Sequence, residues 1–334
     1  MRSVIFHDKS MYIVKYSVFW KVFHDILENN VKNDKIKSMK KRPDYYRKVI
    51  ELRRRYYNAS MGKQSLLNML GEAEIAEQVY NSNAIENSTL SLEETEKILL
   101  QIDLDRYISE REIFETKNLA RVVSYIDKKA KEQELTLEVM LLLHKMLISN
   151  IRDDVAGRFR AKNEWVRVGS HVAVDPVKIV NLLELMLVKY QSTAHENIIN
   201  RIALLHLTFE HIHPFVDGNG RMGRVLNNYL LIREGYVPIN IKFIDRSKYY
   251  EAFREFDKKG IVSTMEEIVG KALTNSYHKR LAYLESMNIL TLSAYAKKCK
   301  ISHSNLINKA TRQTIEAFLE KGIWKIGVKP GKKN

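Results

Sequence analysis

Residues that break regular structure are scarce in this chain. Gly (13) and Pro (5) make up about 5% of its 334 residues, where average usage gives roughly 12%. So few turn-formers over such a length argue against a sandwich or barrel and for an all-α fold. Helical spacing agrees at Ile50, Leu52 and Tyr56, and again at Leu66, Leu67, Leu70, Ile75 and Val79. Ser91 with Glu94 makes a capping box, so a helix is expected to start there. Further helices are expected near 115–132, 137–150, 177–191 and 196–212, the last closed by Pro214. Another should run from Gly220 to a C′ glycine at Gly235. Only Gly157–Pro176 breaks the pattern. There Trp165, Val166, Val168, Val172 and Val174 alternate with polar residues around Gly169-Ser170, which predicts a β-hairpin.

Charge divides the chain further. Of a net +15, residues 32–56 carry +8 and residues 291–334 carry +8, so the remainder is close to neutral. Such runs suit either a solvated face or contact with an anionic partner, nucleic acid included. A single cysteine, Cys299, excludes an internal disulfide framework and a cysteine-based zinc site. No apolar run of 18 residues and no export pattern are present, so a reducing, cytoplasmic setting without membrane insertion is expected.

The chemistry concentrates in His213-Pro-Phe-Val-Asp217-Gly-Asn-Gly-Arg-Met-Gly-Arg224. Asp217-Gly218-Asn219-Gly220 reads as a tight loop feeding a helix, where backbone N–H groups form an anion nest. Arg221 and Arg224, three apart, project from the first turn and suit phosphate oxygens. Asp217 offers a hard oxygen ligand of the kind that holds Mg²⁺ jointly with phosphates. His213 is placed to take a proton from an attacking hydroxyl. Together these read as a nucleotide-phosphate site. No Lys-Ser/Thr follows the glycines, so it is not a Walker A loop. His206, His211 and His213 fit no zinc pattern.

This stretch resembles the signature of the Fic family, His-Pro-Phe-x-Asp-Gly-Asn-Gly-Arg-x-x-Arg, with every defining position filled. The wider resemblance spans roughly residues 50–280 and implies a Fic-type helical bundle with a β-hairpin flap. It implies a protein adenylyltransferase that moves AMP from ATP onto a Ser, Thr or Tyr hydroxyl of a target protein, and of itself, releasing pyrophosphate. By that resemblance His213 is the general base and Asp217 the Mg²⁺ ligand. Asn219 contacts the α-phosphate region, the amides of Gly218 and Gly220 cradle phosphates, and Arg221 and Arg224 take the β- and γ-phosphates, so that Met222 and Gly223 fall within the nucleotide-binding stretch. Val166, Arg167, Val168 and Gly169 resemble the flap that receives a target segment as an added strand. Tyr249 and Tyr250 resemble the tyrosines lining the nucleotide pocket. Asp257 stands where many relatives have Asn near the adenine.

Ser82-Asn83-Ala84-Ile85-Glu86-Asn87 resembles the family's inhibitory motif. The resemblance implies that Glu86 pairs with Arg224 and denies the γ-phosphate its anchor, with Ser82 on the same helix face and Asn87 ending the helix. The expected layout is an N-terminal extension (1–43), a helical region with the inhibitory helix (44–95), the Fic catalytic domain (96–284) and a winged helix-turn-helix-like module (285–334). In that module Leu290–Lys298 and Ser304–Ala310 are expected as helices around Lys300-Ile301-Ser302, Thr314–Glu320 as a third, and Trp324–Gly327 as a short strand. The module suits weak DNA contact, substrate docking or packing on the body. Other readings keep the fold but change the donor (UTP, GTP, CTP or a phosphocholine type), remove AMP, or make the chain a nucleotide-sensing DNA-binding regulator. Self-association is left open.

Overall fold

The computed structural model describes residues 45–168 and 171–329. The expected N-terminal extension and Gly169 of the flap lie outside them. Helices α1 (Tyr45–Ser60), α2 (Gln64–Ile85), α3 (Leu92–Leu100), α4 (Glu110–Lys129) and α5 (Leu137–Ile148) come first. The predicted capping box opens α3: the Ser91 side chain accepts from the Glu94 amide and Glu94 accepts from the Ser91 amide. A cap of this kind contributes about 1 kcal/mol.

The hairpin follows as β1 (Arg167–Val168) and β2 (His171–Val172), antiparallel, with Arg167 opposite Val172. Then come α6 (Ile179–Ser192), α7 (Ile198–Ile212), α8 (Asn219–Arg233), α9 (Arg246–Lys259) and α10 (Ser263–Leu284). Helix α8 is buried at 13 of its 15 residues and α7 at 12 of 15, so this pair is the centre of the bundle rather than a surface layer. Around it pack α4, α5, α6 and α10, with α1 lying along α10. Gly235, at φ 74°, follows the end of α8 as the predicted C′ residue.

The C-terminal region holds more strand than the single short one expected at Trp324–Gly327. Strand β3 (Asn288–Thr291) precedes α11 (Leu292–Cys299) and α12 (His303–Thr311); β4 (Ala317–Glu320) and β5 (Ile323–Val328) complete a sheet of order β3-β5-β4. Thr314–Glu320 is therefore not a helix. Ala317 and Phe318 are buried, and Asn275 of α10 pairs with both the N–H and the C=O of Leu319, which fixes an extended backbone. Tertiary pairing overrides local propensity here. The region has its own small core of Leu292, Ala296, Leu306, Ala310 and Ala317.

A buried ion network ties α2 to that region. Glu74 meets Lys279 at 3.3 Å and Arg280, Lys279 meets Glu320 at 2.5 Å, and Glu77 meets Lys242 at 2.6 Å. Among the described residues no helix is long and apolar enough to cross a membrane.

Candidate active site

The signature segment is the turn between the two most buried helices. His213 caps α7 in the left-handed region (φ 51°), which turns its ring out of the helix line. Its Nδ1 lies 3.3 Å from the Glu210 carbonyl oxygen. A carbonyl only accepts, so Nδ1 carries the proton and Nε2 is the basic nitrogen. Gly218 caps α8 at φ 82°, a conformation that strains any residue with a Cβ, and a Cβ there would also fall 2.7 Å from Ile148 Cδ1.

Two residues far away in sequence hold this turn in place. His144 of α5 stacks on Phe215 with ring centroids 3.7 Å apart. Its Nε2–H donates to the Asp217 carbonyl at 3.0 Å, and its Nδ1 accepts from the Gly157 amide at 3.0 Å. Burial pushes its pKa down to about 4, so the ring is neutral and both nitrogens are used. Arg160 donates to the carbonyls of His213 (2.8 Å), Glu164 (3.0 Å), Val174 (2.7 Å) and Ile212 (3.3 Å). Its guanidinium thus bolts both legs of the hairpin to the turn that carries His213. Neither residue lies in a recognisable motif. The only sequence hint was that Arg160 sits at the base of the predicted hairpin.

On the face expected to bind anions, a carboxylate stands between two arginines. Asp217 lies 2.7 Å from Arg111 and 3.5 Å from Arg221. Burial acts to raise its pKa, but the two arginines outweigh that and hold it below the ordinary value, so it is ionised. No cluster of three or more His, Cys, Asp or Glu side chains suited to a metal occurs among the described residues. A lone ionised carboxylate fits Mg²⁺, which keeps several waters and takes substrate phosphates as its other ligands. Arg221 is buried, 3.2 Å from Glu115, and its Nε and Nη1 have no hydrogen-bond partner. Glu115 and Asp217 already offset its charge, but the Nε–H is left without an acceptor, an open donor that an incoming anion can fill.

Arg224 is fully engaged. It donates through Nε to Ser82 Oγ (2.9 Å), through Nη2 to the Ser82 carbonyl (2.8 Å) and Glu86 Oε1 (2.9 Å), and through Nη1 to Tyr249 Oη (3.1 Å). The expected pairing of Glu86 with Arg224 is present. The same carboxylate lies against Gly220, where any Cβ would collide with Glu86 Oε1. An anion at this helix N-terminus is stabilised by the helix dipole. Glu86 thus occupies both an arginine and part of the nest. Asn87 takes φ 72° and ends α2, with its Oδ1 accepting from Arg246.

Several residues are placed differently from the expectations. Asn219 accepts from the Phe215 amide at 2.9 Å and donates to the Phe215 carbonyl at 2.8 Å, so its amide braces the loop from inside rather than facing a phosphate. Met222 is buried in the main core, and Gly223 lies against Glu210 and His206; neither faces the nest, because rotation of about 100° per residue past Arg221 turns them toward the other sides of α8. Tyr249 is 1% exposed, packed on Phe253, with its hydroxyl between Arg224 and His206. Its ring is part of the main core. Tyr250 donates to the carbonyl of Ile85, the last residue of α2. Both tyrosine hydroxyls therefore hold the Glu86 segment or its arginine. Asp257 pairs with His211 at 2.8 Å, apart from the Arg224 cluster. The flap presents Trp165 (57%) and Val172 (61%) to solvent, with Val166 accepting from the Ala173 amide.

Glu210, one turn before His213, was not singled out from the sequence. It is buried, its Oε1 has no hydrogen-bond partner, and its Oε2 lies 3.8 Å from His213 Nδ1. Burial, followed by the charge of Glu86, pushes its pKa up from 4.5 to about 8, against the pull of Arg224. The folded state then holds a proton that the unfolded chain releases above about pH 4.5. Its stabilising contribution is fully present below 4.5 and is lost as pH rises through 8. Glu210→Gln is expected to flatten the decline in urea midpoint between pH 5 and 9. Parallel profiles for the two proteins would contradict a protonated Glu210.

Comparison with known proteins follows the same lines. Residues 134–231 match the model of the Fic/DOC family. The protein adenylyltransferase Fic of Drosophila willistoni is 34% identical over 182 residues, covering 52% of this chain and 35% of that protein. That of Drosophila melanogaster is 30% identical over 257 residues, 74% of this chain and 51% of that protein. The chain thus spans between about a third and a half of the length of these curated relatives. The solved structure of Fic-1 from C. elegans superposes with a TM-score of 0.62 at 27% identity, covering 71% of this chain and 70% of that one.

Proposed function

From the premise that this chain carries a Fic/DOC-family domain over residues 134–231, we propose that it is a protein adenylyltransferase restrained by its own Glu86. Arg221 carries this reading: buried beside a helix N-terminus, with Nε–H lacking an acceptor and only looser carboxylate contacts at 3.2 and 3.5 Å, it lies one turn from a second arginine held by a carboxylate. A triphosphate supplies the anionic oxygens such a site lacks.

In this reading the loop amides and Arg221 hold the phosphate chain, and Arg224 takes its terminal phosphate once Glu86 has left. The flap edge aligns a target segment through backbone hydrogen bonds, and Arg160 keeps that edge in register with His213. The target hydroxyl gives its proton to His213 Nε2 as its oxygen bonds to the α-phosphorus. The bond from that phosphorus to the bridging oxygen breaks, and pyrophosphate departs. Asp217 would hold Mg²⁺, which when bound neutralises charge on the phosphates. Positioning and charge stabilisation supply most of the acceleration.

The test is to incubate the Glu86→Gly protein with ATP labelled at the α- or γ-phosphate, beside α-labelled GTP, CTP and UTP. Covalent label from α-labelled ATP alone is expected. Transfer of γ-label would make the protein a kinase, and another favoured base would change the donor. Tight nucleotide binding with no adduct would favour a sensor.

A further inference from the structure

The order α10–β3–α11–α12–β4–β5 is that of a winged helix, with the last helix of the catalytic body serving as its first helix. Helices α11 and α12 are joined by Lys300-Ile301-Ser302, where Lys300 takes φ 55° and Ser302 caps α12. Their inner faces fill the small core of Leu292, Ala296, Leu306 and Ala310, so their outer faces are turned to solvent.

Charge is sorted between the two sides. Residues 288–329 contain two acidic residues, Glu316 and Glu320. Glu316 pairs with Arg55 at 2.6 Å, and Glu320 pairs with Lys279 at 2.5 Å and Lys325 at 2.7 Å. Both are consumed on the side of the body. On the α11–α12 face, Lys297, Lys298, Lys300, Lys309 and Arg312 are exposed, and no ion pair engages them among the described residues. Asn305 and Asn308 are exposed on α12 beside Lys309 and Arg312. The wing does not share in this face: the Lys321 amide donates to Glu77 and its ammonium pairs with Glu96 at 2.7 Å, which docks the β4–β5 turn onto the body.

We propose that the α11–α12 face binds double-stranded DNA, with α12 in the major groove and the five cations on flanking phosphates. A helix with amide and cationic side chains on its outer face matches the width and the donor–acceptor edges of that groove. With the wing withdrawn and one module per chain, affinity comes mainly from phosphate contacts, in the range of non-specific binding, about 10⁻⁴–10⁻⁶ M at physiological salt. The proposal is independent of nucleotidyl transfer.

The test uses the full chain and a fluorescent 20-base-pair duplex, followed by anisotropy from 50 to 200 mM salt. Five phosphate contacts predict a loss of roughly 10²–10³-fold in affinity over that range. Replacing all five cations by Gln keeps the stems and is expected to weaken binding at least about tenfold and to flatten the salt slope. Lys309→Gln with Arg312→Gln, a milder change, should do so partly. Circular dichroism and adenylyl transfer should be unchanged, since none of these residues touches the site. Duplex RNA of equal length, whose major groove is too narrow for a helix, should bind several-fold more weakly. Unchanged DNA binding by the five-fold variant, no binding at 50 mM salt, or equal binding of the RNA would each overturn the proposal.

Discussion

Glu86→Gly is expected to raise the initial rate of AMP transfer about ten- to a hundredfold. Glu86 supplies one of four hydrogen bonds to Arg224; the others come from Ser82 and Tyr249. Removing the carboxylate leaves the guanidinium aimed as before, with one arm released toward the nest. A charge-assisted hydrogen bond contributes about 1.5–3 kcal/mol, and each 1.4 kcal/mol is a factor of ten. Glu86 is about a third exposed (35%), so solvent screening favours the lower half of that range. Glu86→Gln keeps the shape without the charge and should fall between wild type and Gly. The change also removes one of the two influences that raise the Glu210 pKa, so the pH at which stability declines should shift downward. Equal rates for wild type and Glu86→Gly, measured with α-labelled ATP at saturating target, would remove the inhibitory role of this contact.

In that released background, His213→Ala should cut transfer by about 10²–10⁴-fold, the usual contribution of a positioned general base. The KM for ATP should stay within about twofold, because the phosphates are held by the α8 terminus and its arginines and not by the imidazole. His213 sits at φ 51°, where alanine is strained by about 1–2 kcal/mol, so a loss of activity in Ala alone could be structural. Asn tolerates that conformation but is no base. His213→Asn should therefore lose as much activity as Ala while keeping more stability. If Asn retains near-full transfer, the imidazole is not the proton acceptor.

The two predictions rest on residues that were legible for different reasons. The His213–Arg224 segment announces itself because its chemistry is contiguous: base, carboxylate, nest and arginines occupy one turn and the first helical turn after it. Ser82, Glu86 and Asn87 were readable because a four-residue spacing and a terminator are local facts of a helix. What each arginine meets was less local. Arg224 and Ser82 are separated by 142 positions. The resemblance supplied the Glu86 contact but not the carbonyl of Ser82 or the hydroxyl of Tyr249. Tyr249 itself was expected to line the nucleotide pocket; its ring packs in the core, covered by Phe253, and its hydroxyl is used by His206 and Arg224.

From the chain of residues alone came the helical character, the α3 capping box, the hairpin, the α8 boundary at Gly235 and the tight turn His213–Gly220 that feeds α8. All of these are set by spacings of two to four residues, where the neighbours that matter are covalently near. Tertiary packing decided that His144 and Arg160 support the turn carrying His213, that Asn219 braces the loop, that Glu210 is buried with its pKa pushed up, and that Ala317–Glu320 is a strand. Each of those outcomes depends on which distant side chain or backbone group satisfies a buried donor or acceptor, and that pairing is fixed only when the helices close around α7 and α8.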